Sequence, residues 1–293
     1  MPPDKISATS RIFSSSVIQE MARRGTSPQF TRLAREADLF DGIGSTATVA
    51  DVFDAALSTL RRRINRDEYV YKSALTQKIL LGTHNLQTAS MLTEFRVGEC
   101  KADVVIFNGT ATAYEIKSER DTLTRLSRQI EAYRTVFATV NVIVGENHLS
   151  SVVRDLPSDV GVLTLSTRNS ISEYRKALDL PERTVPSAIF DSLRTLESLR
   201  ILRMYGFDIP SVPNTEMHKV LRGMFRSLTP EQAHTGMVKV VKKTRSLRTL
   251  FEFLEELPIS LQSAALTIPI RRGDHGRLIK AVATPVHLAQ TWA

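Results

Sequence analysis

Apolar and polar positions change period several times along this chain, and each change predicts an element. Val49, Val52, Phe53, Ala56, Leu57, Leu60 and Ile64 keep helical spacing, and Thr48 with Asp51 three residues on reads as a capping box that starts the helix. Before it, residues 17–40 read as helical segments interrupted around Gly25, Ser27 and Pro28, and the Ser-rich first 16 residues as a mobile tail. A second helix is expected over 68–82, where Tyr69, Leu75, Ile79 and Leu80 can share a face. The period then shortens. Residues 90–97, 101–107 and 111–117 are short runs rich in strand formers, separated by Gly98 and by Asn108-Gly109-Thr110, which predicts a three-stranded meander. Leu123, Leu126, Ile130, Tyr133 and Phe137 follow at steps of three and four, a clear amphipathic helix. Strands are then expected at 140–144 and 161–165, around a short helix near 149–155.

Beyond residue 171 the pattern is mainly helical. Apolar spacing runs from Ile189 to Met204, Pro210 and Pro213 interrupt it, and a helix is expected near 214–227. Thr229-Pro230-Glu231 is a helix start, with a helical pattern over 237–257 up to Pro258. Residues 264–284 fit either a hairpin or broken helix. The expected organisation is a helical extension with its tail (1–66), an αβββαβ core (67–170) and a basic, mainly helical C-terminal part (171–293).

With 293 residues, 42% hydrophobic and 24% charged, the chain has the composition of a folded globular protein. A lone Cys100 excludes an internal disulfide and a Cys-rich zinc site, and the six histidines lack ligand spacing for zinc. No run of about 18 apolar residues suggests a membrane span, so a cytoplasmic protein is expected. The net charge of +8 is uneven: 10 Lys/Arg against 7 Asp/Glu in 1–66, 11 against 12 in 67–170, and 18 against 12 in 171–293. Basic flanks around a carboxylate-rich centre suit a protein that handles a polyanion. Lys239, Lys242, Lys243, Arg245 and Arg248 form the densest basic run, read as wrapping around more than one helical face. A solvated surface is the commoner use of such a run.

The chemistry concentrates in the meander. Asp103 begins its second strand, while Glu115 and Lys117 end its third, two residues apart and therefore on one face. Adjacent carboxylates repel unless a divalent cation is shared between them, and hard oxygen donors suit Mg²⁺ or Mn²⁺. A lysine on that face could orient a water or stabilise charge on a phosphate. Register decides the matter. A two-residue Asn108-Gly109 turn pairs Asp103 with Tyr114 and separates the carboxylates, whereas a three-residue loop over 108–110 pairs Asp103 with Glu115.

Lys101-Ala102-Asp103, Glu115-Ile116-Lys117-Ser118 and Gln129-Ile130-Glu131-Ala132-Tyr133 resemble the motifs of the PD-(D/E)XK nuclease superfamily, especially its RecB-like branch. The resemblance covers about residues 67–165, and the proline common before the first acid is missing. It implies a restriction-endonuclease-like α/β core with helical additions, and a metal-dependent nuclease acting on nucleic acid, DNA rather than RNA. Asp103 and Glu115 would ligate Mg²⁺ or Mn²⁺ with the Ile116 carbonyl, and Lys117 would assist the water. Gln129 and Tyr133 would touch substrate or position the site, and Arg125, four residues before Gln129, is a candidate phosphate contact. A further acid is expected from the first core helix: Glu68, with Glu94 its competitor. Tyr133 also belongs to an apolar stripe and fits a core position equally well. Such an enzyme would suit genome maintenance or defence against phage or plasmids. The rival reading is an inactive module on the same fold that binds nucleic acid, or a protein through its C-terminal helices.

Overall fold

The structure, a computed structural model, describes residues 1–84 and 86–293. The expected meander forms as β1 (Ser90–Val97), β2 (Cys100–Asn108) and β3 (Thr110–Lys117), paired antiparallel in sequence order. β4 (Thr139–Val144) and β5 (Gly161–Leu165) then add in parallel. Parallel neighbours need crossovers. They are supplied by α6 (Leu126–Arg134) between β3 and β4, and α7 (Leu149–Asp155) between β4 and β5. β6 (Ile171–Arg175) pairs antiparallel with β5 and closes a six-stranded mixed sheet in the order β1 to β6 among the described residues. The sheet therefore runs past residue 170 into the part expected to be helical.

Helices cover both faces, so the central strands read as continuous apolar runs. On one face Met91, Val104, Ile106, Tyr114, Ile116 and Ile143 pack against helices from both chain ends. These are α1 (Pro3–Arg11), α2 (Ser15–Arg24), α3 (Pro28–Glu36), α4 (Val49–Leu60) and α5 (Glu68–Leu75) from the N-terminal side. On the other face Phe95, Val105, Phe107, Ala111 and Val142 pack against α6, α7 and the segment 189–241. That segment carries α8 (Pro186–Ser192), α9 (Thr195–Met204), α10 (Asn214–Phe225) and α11 (Pro230–Thr244). The chain then crosses to the first face for α12 (Phe251–Glu255), α13 (Ile259–Thr267), α14 (His275–Val282) and α15 (Val286–Ala289). Hence 264–284 is broken helix, and 171–293 divides between the two faces.

The two chain ends form one layer. Val49 N–H donates to the Thr284 carbonyl at 2.9 Å, Val286 N–H to Ala47 at 2.8 Å, and the Thr31 hydroxyl to Ala289 at 2.8 Å. The first residues are not a mobile tail. Ile6, Ile12 and Phe13 supply α1 and the turn after it with a buried side, and Phe13 stacks on Tyr69 with centroids 4.3 Å apart. The serines between them obscure that spacing in the sequence. The α4 capping box forms, with Thr48 N–H donating to Asp51 at 2.7 Å, but the helix ends at Leu60 and leaves Ile64 exposed. The helical pattern read over 237–257 is two helices, broken after Thr244. Among the described residues no helix is long and apolar enough to cross a membrane.

Candidate active site

The hairpin takes the longer register. Asn108 pairs with Thr110 and Val104 with Tyr114, with Gly109 alone at the tip at φ 72°, the left-handed region where glycine costs least. This sets Asp103 across from Glu115. On the other side Thr93 pairs with Val104 and Phe95 with Ala102, which sets Glu94 across from Asp103. Three acids from three neighbouring strands thus share one transverse row, an arrangement that like-charge repulsion disfavours without cations. The β2–β3 ladder ends at Val104 and Tyr114, so Asp103 and Glu115 stand one step past its last pair, where Asp103 Oδ2 accepts the Ile116 N–H at 2.7 Å.

Glu115 is 1% exposed and engaged at both oxygens. Oε1 accepts from Lys117 Nζ at 2.6 Å, and Oε2 lies 2.8 Å from the Tyr133 hydroxyl, whose single proton also has the Lys101 carbonyl at 2.5 Å. Lys117, 12% exposed, donates as well to Gln129 Oε1 at 3.1 Å. α6 presents Gln129 and Tyr133 four residues apart on the side that meets the sheet. Tyr133 is fully buried with its ring against Phe137, so it fills the core and holds Glu115 at once, and it does not face a substrate. Arg125, exposed just before α6, lines a hollow of about 320 Å³ together with Lys101, Arg128 and Gln129.

Glu68 and Glu94 do not exclude one another. Glu68, the first residue of α5, and Glu94 and Asp103 bring carboxylate oxygens within 4.8 Å of each other. Asp103 thus gathers with Glu68 and Glu94, while Glu115 beside it is engaged by Lys117 and Tyr133. Cations stand beside this cluster: Lys72 Nζ lies 2.5 Å from Glu68 and 3.6 Å from Glu94, and Lys101 Nζ 3.8 Å from Glu94. Lys72 follows Glu68 by four residues, a spacing the sequence offered, but nothing there tied it to Glu94.

Burial first, and the neighbouring Glu115 second, push the Asp103 carboxyl up to about 8, against the pull of the Ile116 N–H. Burial also raises Glu115, opposed by Lys117. Desolvation drives the Tyr133 phenol upward, with the adjoining Glu115 charge adding to it. A cluster of oxygen-only donors such as Glu68, Glu94 and Asp103 fits a hard divalent cation such as Mg²⁺ or Mn²⁺. The Asp103 shift sets a pH dependence. Its folded pKa lies above the unfolded value of 3.8, so the folded state holds the proton more tightly. That contribution is complete below pH 4 and lost as pH rises through about 8. From pH 5 to pH 9 in EDTA, the stability of Asp103→Asn relative to the natural protein should rise by roughly 1–3 kcal/mol in urea unfolding. Equal differences at both pH values would contradict the assignment.

Glu94 carries a second signature, φ 53° within a strand. A non-glycine residue held in the left-handed region costs about 1 kcal/mol or more, and such strain collects at functional sites. Glu94→Gly should therefore stabilise the metal-free protein by about 1 kcal/mol while weakening Mn²⁺ binding in calorimetry. A destabilised variant would show that the Lys72 and Lys101 contacts outweigh the backbone strain.

Sequence reasoning missed a support behind the site. Arg66, 1% exposed, donates to the carbonyls of Leu165 at 2.7 Å and Ser166 at 2.5 Å and to Glu119 at 3.3 Å, while the Tyr71 hydroxyl donates to Glu119 at 2.9 Å. Glu119 lies two residues beyond Lys117. Ser118 donates from both its N–H and its hydroxyl to Asp121 Oδ2, at 2.8 and 2.6 Å, and so turns the chain out of β3.

Protein cII of Enterobacteria phage P4 is 30% identical over 110 residues, 37% of this chain and 38% of the phage protein, so the match spans well under half of that relative. The SPO1766 protein of unknown function from Silicibacter pomeroyi aligns over 43% of this chain and 87% of its own, with 16% identity and a TM-score of 0.28, too loose a likeness to carry an argument. The family model described as Bacteriophage P4 protein cII matches residues 61–260, from the linker before α5 through the sheet and into α13, and on that match, which covers more than half of its length, this chain belongs to the phage P4 cII family.

Proposed function

We propose that this protein is a metal-dependent nuclease of the PD-(D/E)XK type on a restriction-endonuclease-like core, hydrolysing phosphodiester bonds of nucleic acid, with DNA the favoured substrate. The observation that carries the reading is the row Glu94, Asp103 and Glu115, with Lys117 bonded to its third member. Asp103, Glu68 and Glu94 would hold the ion, with the Ile116 carbonyl and Glu115 as further donors. When bound, Mg²⁺ or Mn²⁺ supplies Lewis acidity toward the phosphodiester and toward the water that attacks it. Gln129 and Glu115 hold the Lys117 ammonium in one place, where it orients that water and stabilises charge growing on the phosphate. Tyr133 fixes the Glu115 carboxylate, and Arg125 and Gln129, which share the adjoining hollow, contact the phosphate on the substrate side.

One observation favours the rival, a catalytically inactive module that binds nucleic acid or a protein partner. Lys72, Lys101 and Lys117 stand beside the acids, so the cluster can approach charge balance without an added ion. The deciding experiment incubates the purified full chain with single- and double-stranded DNA and RNA in Mg²⁺, Mn²⁺ or EDTA, beside Glu115→Ala. Cleavage that needs the ion and disappears in the variant is expected. Absence of ion-dependent cleavage on all four polymers, or equal cleavage by the variant, sinks the hydrolase reading.

A further inference from the structure

The basic run at the end of α11 is divided by the fold in a way its sequence does not display. Lys239, Lys242 and Lys243 stand at i, i+3 and i+4, one helical face, whereas Arg245 turns away. Arg245 is used internally: it pairs with the buried Glu197 at 2.6 Å and lies over the Phe95 ring at 5.4 Å. Those contacts fasten the end of α11 to α9 through Glu197 and to β1 through Phe95, the residue next to Glu94. The three lysines and Arg248 face a groove of about 310 Å³ whose other wall is Leu86–Ser90, and among the described residues no carboxylate lines it. None of these four cations forms an ion pair among the described residues.

Like charges crowded on one face repel, and the helix C-terminus offsets that for the last turn only, which holds Lys242 and Lys243 but not Lys239 or Arg248. An external anion removes the remainder. We propose that this groove binds the phosphate backbone of a polynucleotide independently of its sequence, anchoring a strand whose continuation reaches the acid row. The proposal rests on the nucleic-acid reading above and adds a binding site away from the acids. Ser90, on the groove wall, precedes Glu94 by four residues of strand, about 13 Å at ~3.3 Å per residue. That is roughly four nucleotides of a duplex at ~3.4 Å each.

The test is binding of labelled single-stranded and duplex DNA by the full chain in EDTA across a salt series. It compares the natural protein, Lys239→Ala/Lys242→Ala/Lys243→Ala/Arg248→Ala, and a control losing four exposed cations elsewhere, Arg203→Ala/Lys219→Ala/Arg226→Ala/Lys280→Ala. Four phosphate contacts contribute roughly 0.7–0.9 each to the slope of log affinity against log salt, so the groove variant should lose about 3 from that slope and at least tenfold in affinity at 0.1 M salt. The control should lose far less, and replacing the three lysines with arginine should preserve the slope and show that the groove itself is intact. Unchanged binding by the groove variant, an equal loss in the control, or no DNA binding by the natural protein overturns the proposal. So does a result in which only phosphatidylserine vesicles or polyglutamate depend on the four residues. Because no divalent ion is present, binding without later Mg²⁺-dependent cleavage strikes the hydrolase reading alone, and cleavage with an unaltered salt slope strikes the groove alone.

Discussion

Lys117→Ala is expected to lower ion-dependent DNA cleavage by about 10²–10⁴-fold while binding in EDTA stays within about threefold. Its ammonium is almost enclosed and has two fixed partners, Glu115 and Gln129, so it is held before any substrate arrives. The alanine variant also carries a structural cost. Removing one partner of a buried ion pair leaves the other uncompensated, typically about 3–5 kcal/mol of stability. A bare loss of activity would therefore be ambiguous. Lys117→Met/Glu115→Gln removes both charges with little change in volume, and should recover most of the stability in urea unfolding without recovering cleavage. Stability and cleavage returning together would assign the pair a structural role only. Persistent inactivity in a stable double variant places the two groups in the chemistry.

The meander, the α6 stripe and the crossover strands are legible in the sequence because period 2 and period 3.6 differ sharply there. The register of the hairpin is not. Asn108-Gly109 is a strong local signal for a two-residue turn, but Val104 and Ile106 are buried on one face and Val105 and Phe107 on the other. A one-residue slip exchanges apolar for apolar, so the pattern carries no information on which register forms. The same reason left Glu68 and Glu94 as competitors: which acid reaches Asp103 depends on where α5 crosses the sheet and on the unusual backbone at Glu94. The layer made by the two chain ends was also hidden, since Thr31 and Ala289 meet across nearly the whole length of the chain. In the basic run the spacing of the lysines was readable, but the diversion of Arg245 depends on Glu197, a residue of another helix.

Arg66→Ala should destabilise the protein by about 3–5 kcal/mol, read as a lower urea midpoint at an unchanged m-value. The guanidinium donates in four directions: to the carbonyls of Arg61, Leu165 and Ser166, and to Glu119. Removal leaves buried carbonyls unpaired and a largely enclosed carboxylate with, among the described residues, Tyr71 alone as a donor. Arg66→Lys keeps the charge but cannot span those directions with one ammonium, and should recover less than half of the loss. The damage should also reach the candidate site. Gly145 N–H donates to the Lys117 carbonyl at 2.9 Å and the Asn147 side chain to the Glu119 carbonyl at 3.1 Å. A Cβ built at Gly145 would stand 2.8 Å from Glu119 Cγ, so the end of β3 is confined from that side too. If Arg66 sets the position of Lys117 through Glu119, the alanine variant measured where it is still folded should cleave more slowly than its folded fraction explains. A loss below about 1 kcal/mol would mean that water replaces the guanidinium, and cleavage proportional to the folded fraction would confine Arg66 to stability alone.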